Sequence, residues 1–136
     1  MRLTPVLSVA ALLVVAASVA FAAKPQTATA DIQALSASGI TGSADIRFDQ
    51  QGLAKIHEQL TGLTPGVQYE SLVFQGSTTC GSGTSAVLMT FTANAAGKAN
   101  FNVSAPPQVN IQSGASISVE RVSDSALVAC GEVVVQ

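Results

Sequence analysis

The sequence predicts an all-β protein, a Greek-key immunoglobulin-like β-sandwich or barrel of seven or eight antiparallel strands. Three observations carry that reading. Apolar residues recur at every second position through most of the chain, as in strands with one buried face. Gly, Pro, Asn and Asp clusters separate those runs at short intervals. No stretch after residue 24 shows a helical period, and seven or eight short strands in one domain describe a sandwich or barrel. Frequent Ser, Thr, Gly and Val and a charged content of only 10% suit such a domain.

The first segment is of another kind. Arg2 supplies a positive start, Val6 to Val19 is mostly apolar, and Ala20-Phe21-Ala22 places small residues where a signal peptidase reads them. Residues 1–23 are therefore expected to be a secretory signal peptide, and residues 24–136 a single domain. The apolar run is shorter than the ~20 residues of a spanning helix, and no second such segment follows. The chain is expected to be secreted or periplasmic, with no membrane insertion after cleavage. Eight acidic residues against six Lys and Arg give a formal charge of −2. There is no basic stripe, so nucleic acid is not an expected partner.

Residues 24–27 (Lys-Pro-Gln-Thr) read as a short lead-in. Ala28, Ala30, Ile32 and Ala34 then alternate with polar residues as the first strand. Ala44, Ile46 and Phe48 form a second, closed by the turn-like Asp49-Gln50-Gln51-Gly52. Ala54, Ile56 and Leu60 form a third, but Glu58 falls in their apolar phase. Either a bulge turns Glu58 outward, or it is half-buried with a partner. Thr64-Pro65-Gly66 suits a type II turn, with proline at its second position and glycine accepting positive φ at its third.

A fourth run spans Val67 to Phe74 and a fifth Ala86 to Ala93, both with apolar residues on two faces. Asn94-Ala95-Ala96-Gly97 reads as a hairpin connection to a sixth, in which Ala99, Phe101 and Val103 alternate with Lys98, Asn100, Asn102 and Ser104. Pro106-Pro107 blocks continuation. Ala115 to Val122 and Leu127 to Val135 complete the set.

Cys80 and Cys130 are the two cysteines. An even count in an oxidising compartment favours a disulfide. Two free thiols or an intermolecular bridge are the alternatives.

Several of these landmarks, taken in order, resemble copper/zinc superoxide dismutases. Gly62-Leu63-Thr64-Pro65-Gly66 is similar to that family's strand-ending motif, and Gly76 falls on its glycine without a gap. Thr92 to Ala99 looks like its following hairpin. Cys80 and Ala129-Cys130-Gly131 are similar to its intrasubunit disulfide pair. The resemblance covers Ser43 to the C-terminus and implies a superoxide-dismutase-like sandwich. Domains similar to chordin modules are a second family possibility, through the late Gly131-Glu132.

The family's chemistry does not come with the frame. Ser71 and Val73 stand at the positions of its paired copper histidines. The zinc aspartate position falls near Val87, the late copper histidine near Glu120, and the substrate-guiding arginine near Leu127. Only His57 is present where the family needs several imidazoles. The expectation is an exported, non-catalytic domain with a binding or structural role, no catalytic residues, no metal and no cofactor. A metal-dependent superoxide dismutase with an atypical site is the alternative.

The expected partner is an unknown protein or surface ligand. The best candidate binding segment is the loop from Ser77 to Ser85, with Ser77, Thr78, Thr79, Gly81, Gly83 and Thr84 as its small polar residues, since loops on a rigid sandwich commonly carry function. Its plainer reading is a spacer tethered by the disulfide. His57 is expected to be an exposed strand histidine. Glu58, Glu70, Glu120 and Asp124 form no clustered calcium loop. Asn102-Val103-Ser104 fits an N-glycosylation acceptor.

Overall fold

A continuous order of eight antiparallel strands, β5-β4-β7-β8-β1-β2-β3-β6, organises the protein. The strands are β1 (Thr27–Ala34), β2 (Thr41–Phe48), β3 (Ala54–Thr61), β4 (Gln68–Gln75), β5 (Thr84–Thr92), β6 (Ala99–Ser104), β7 (Ala115–Arg121) and β8 (Ala126–Val135). The structure is a computed structural model that describes Val15, Ser18, residues 26–112 and residues 114–136. The signal peptide expected over 1–23 lies outside the described residues except for Val15 and Ser18. No helix among the described residues is long and apolar enough to cross a membrane. The lead-in is shorter than expected, because Thr27 already pairs with Arg47 as the first residue of β1.

The all-β, Greek-key-like sandwich is as the alternation requires. β1, β2 and β3 form a meander in continuous register, with Ala30 opposite Ala44 and Ala44 opposite Glu58. β4 and β5 form one hairpin, interrupted by a bulge at Ser71/Leu72. β7 and β8 form another. β8 pairs with β7 on one side and β1 on the other, so it is the hinge where the ladder folds over into two layers. Gly131 sits at that hinge, and a Cβ there would collide with the Asp31 carbonyl.

The opposite side has no such hinge. β5 and β6 are the two ends of the order and are not hydrogen-bonded neighbours. The connection at Asn94-Ala95-Ala96-Gly97 is therefore not a β-hairpin, contrary to the sequence expectation; it is a tight corner between layers. The turn chemistry itself is as read: the Gly97 N–H donates to the Asn94 carbonyl, and Asn94 Oδ1 accepts from the Ala96 and Lys98 N–H groups. What redirects the chain is the anchoring of the corner on the β3–β4 loop, where the Leu63 N–H donates to the Gly97 carbonyl at 2.9 Å. Side chains close the seam: Phe91 of β5 and Phe101 of β6 lie 5.0 Å apart, and Tyr69 stacks on Phe91 at 5.9 Å.

The Thr64-Pro65-Gly66 turn forms as predicted, with the Val67 N–H bonded to the Thr64 carbonyl and φ of 77° at Gly66. Between the layers lie Ile32, Ile46, Ile56, Leu60, Tyr69, Val73, Ile117 and Val119, all at most 2% exposed. Each large side chain buried in this way stabilises the fold by about 1.5–3 kcal/mol. The buried Tyr69 hydroxyl accepts from the Thr64 N–H at 3.1 Å, tying the turn to the core.

Candidate functional site

Strand alternation sends consecutive residues of β3 to opposite faces, which separates its two titratable neighbours. Glu58 points inward and is 0% exposed. No bulge interrupts β3 against either β2 or β6, so the expectation of an outward or half-buried Glu58 is corrected: it is fully buried. The predicted partner exists. Ser71 Oγ of β4 donates to Glu58 Oε2 at 2.7 Å, and Ser71 is itself 0% exposed. Glu58 Oε1 has no hydrogen-bond partner. The ladder neighbours of this pair are apolar: Ala44 and Phe101 flank Glu58, and Val119 and Met89 flank Ser71. Burial therefore pushes the Glu58 carboxyl up to about 7, against the opposite pull of the Ser71 hydrogen bond.

The copper and zinc implied by the family resemblance do not suit the residues at the corresponding places. The Ser71 hydroxyl is held by Glu58, and Val73 is 0% exposed in the core. Val87 is an exposed aliphatic side chain. Glu120 stands directly across from Glu70 in the β4–β7 ladder. A hydroxyl, two valines and a carboxylate do not make the imidazole-rich set that reversible copper chemistry needs. Among the described residues, no three His, Cys, Asp or Glu side chains come together to hold a metal ion.

Glu58, Glu70, Glu120 and Asp124 do not come together as one acidic patch; only Glu70 and Glu120 face each other. Glu58 is inside, and Thr90 Oγ1 donates to Glu70 Oε1 at 3.4 Å. Asp124 pairs with Arg121, whose Nε and Nη2 donate at 2.9 and 2.6 Å. That hydrogen-bonded guanidinium holds the Asp124 carboxyl below its ordinary range.

The candidate loop takes the form of a strap. Cys80 and Cys130 are disulfide-bonded, fixing the Gly76–Gly83 connection to β8. Ser77 Oγ accepts from the Thr79 N–H at 3.1 Å, and the Ser82 N–H donates to the Thr79 carbonyl at 3.1 Å. Gly81 has a φ of 74°, in the left-handed region that favours glycine, and a Cβ there would meet the end of the Leu127 side chain at 2.9 Å. Ser118, directly opposite Cys130 in the ladder, is fully buried, and its hydroxyl has no partner. Thr84 and Ser85 are strand rather than loop, pairing with Gln75 and Phe74. Thr78, Thr79, Gly81 and Gly83 are exposed, and Ser77 is half-buried.

A cleft of about 870 Å³ lies elsewhere, across the outer face of β1, β2, β3 and β6, and none of the candidate loop residues lines it. Strand register builds its floor in two rows. Thr27, Arg47, Lys55 and Ser104 form one, and Thr29, Asp45, His57 and Asn102 the next. Ala28, Ile46 and Ile56 also border it, but they are 1–2% exposed and belong to the core, so they contribute main chain. His57 is half-buried here, more enclosed than an exposed strand histidine. Its Nδ1 lies 3.0 Å from Asn102 Oδ1, and its Nε2 lies 2.8 Å from Gln59 Nε2. Those partners select the tautomer in which Nδ1–H donates to Asn102 and Nε2 accepts from Gln59.

The alternation puts His57 on the outer face of β3, as found, but neither its half-burial nor the cleft is apparent from the strand pattern alone. The signal that marks it is the clustering of Asp45, Arg47, Lys55 and His57 on the polar phase of two adjacent strands. No family model matches the chain and no curated protein matches it, so the functional reading rests on this geometry.

Proposed function

We propose that the protein is an exported, non-catalytic β-sandwich domain that binds a ligand on the outer face of β1-β2-β3-β6. The observation that carries this reading is the cleft itself. It is large enough for a small-molecule or oligomeric ligand, lies on strands rather than on a loop, and has polar side chains already positioned by the ladder. The scaffold reading follows the resemblance to copper/zinc superoxide dismutases, a frame in which Ser71, Val73, Val87 and Glu120 replace the metal-binding groups. Export follows from the signal-like residues 1–23 and agrees with the Cys80–Cys130 disulfide.

The test has two arms. Protein incubated with copper and zinc and freed of unbound metal is assayed for superoxide dismutation and metal content. Background rates and no stoichiometric copper are expected, and dismutation with one copper per chain contradicts the non-catalytic reading. In the second arm, a panel of oligosaccharides and peptides is screened against the protein and Asn102→Trp. That substitution fills the cleft from an exposed edge position. Ligands bound by the parent and lost by the variant support the cleft, and ligands retained by the variant place binding elsewhere.

A further inference from the structure

Arg47 and Lys55 stand directly opposite each other at one end of the cleft floor. Directly opposed side chains on one sheet face have Cβ atoms about 4.5–5.5 Å apart, and like charges so placed destabilise the pair. Among the described residues neither side chain has a hydrogen bond or an ion pair, and the one ion pair there is Arg121–Asp124. Asp45 shares the face two residues from Arg47 but forms no ion pair with it. This end of the cleft therefore carries two cationic heads against one carboxylate, Asp45 in the next row, a net positive spot on a chain whose formal charge is −2. One anionic group between the two heads would turn their repulsion into a pair of charge-assisted hydrogen bonds.

The remaining floor defines the rest of the ligand. Its outward side chains include Thr29, Asp45, His57, Asn102 and Ser104, which are hydroxyls, an amide, an imidazole and a carboxylate; of the aliphatic lining residues, Ala28, Ile46 and Ile56 are buried and Val103 is half-buried. Hot spots of protein–protein interfaces are enriched in large anchors such as Trp and Tyr, and this floor offers neither, whereas a polyhydroxylated ligand can exchange hydrogen bonds with such a surface throughout its length.

We propose that this cleft binds an acidic oligosaccharide, with a sugar carboxylate or sulfate held between Arg47 and Lys55 and neighbouring hydroxyls hydrogen-bonded to Asp45 and Asn102. The inference rests on the reading of the cleft as the binding face and adds the class of ligand. The same repulsion predicts that Lys55→Gln raises the melting temperature of the free protein by about 2 °C.

The experiment is an NMR titration of the ¹⁵N-labelled protein with four probes. They are a hexasaccharide of alternating glucuronate and N-acetylglucosamine, a sulfated hexasaccharide, neutral N-acetylglucosamine hexamer, and inorganic sulfate. One or both acidic oligosaccharides shift the amides of residues 27–29, 45–47, 55–57 and 102–104, with at least tenfold higher affinity than the neutral hexamer or sulfate alone. Arg47→Gln and Lys55→Gln, both at exposed positions, each lower that affinity at least tenfold, and their melting curves verify folding. A neutral hexamer that binds the cleft equally well overturns the acidic-ligand inference and leaves the cleft reading standing. Inorganic sulfate binding as tightly as the oligosaccharides overturns the sugar. Shifts at residues 77–83 instead overturn both readings, and no shift with either acidic probe at millimolar concentration overturns the inference.

Discussion

His57 and Glu58 are neighbours in sequence and opposites in environment. On the outer side of β3, His57 has both ring nitrogens engaged by neutral amides and borders an open polar cleft. On the inner side, Glu58 is fully buried with one hydroxyl for a partner and one orphaned oxygen. A polar group facing water can exchange partners at little cost, whereas a buried one must keep those the fold provides. Under the proposed function the two sides of β3 have separate roles: the outer side serves recognition, and the inner side sets the conditions under which the fold is stable.

The largest expected effect tests whether the two layers act independently. The disulfide closes a loop with a sequence separation of 50, so Cys80→Ser with Cys130→Ser lowers stability by about 4 kcal/mol on the chain-entropy account. Urea unfolding measures that loss. The strap covers the other layer, so amide shifts around the cleft remain within those of the parent protein.

Next in size is the pH dependence of the inner side. Below pH 4.5 the Glu58 carboxyl is protonated in both folded and unfolded chains. Between 4.5 and about 7 the folded chain retains a proton that the unfolded chain releases. Stability therefore falls as pH rises through this window, by about 3 kcal/mol at about 1.4 kcal/mol per unit, and the loss is complete above it. Urea unfolding at pH 4 and pH 8 shows the decline in the parent protein. Glu58→Gln removes Glu58's contribution, and an unchanged slope in that variant shows that another group sets the pH dependence.

Ser71→Ala takes away the hydroxyl that donates to Glu58 Oε2. The expected loss is about 1–3 kcal/mol at pH 8, where the carboxylate is left without a donor, and less at pH 4. Equal losses at the two pH values would mean that packing rather than the carboxylate is at stake. His57→Ala, the outward counterpart, changes stability by about 0.5 kcal/mol or less, as for a surface substitution. A loss comparable to that of Ser71→Ala would break the contrast between the two sides.

Much of the fold was legible because it is local. The alternation of Ala28, Ala30 and Ile32, or of Ala54 and Ile56, is sufficient to place strands, and Pro65-Gly66 specifies its own turn. The corner at Asn94–Gly97 was not, since its turn chemistry is that of a hairpin. Contacts distant in sequence, Leu63 with Gly97 and Gly66 and Val67 with Ala93, anchor the corner and lead β6 to β3 instead of β5. Glu58 was visible as a break in apolar phase, but its burial depends on Ser71 reaching it from the opposite layer. The cleft is similarly non-local. Arg47 and Lys55 read as ordinary surface charges until register places them face to face, while the Ser77–Ser85 segment drew attention by its composition alone.

Isothermal titration of an acidic hexasaccharide into the parent protein, Arg47→Gln and Glu58→Gln tests the central claim most directly, that recognition belongs to the outer side of β3 and not to the interior. The account predicts at least a tenfold loss for Arg47→Gln and an affinity within twofold of the parent for Glu58→Gln. Binding that survives Arg47→Gln and disappears in a folded Glu58→Gln protein would contradict it.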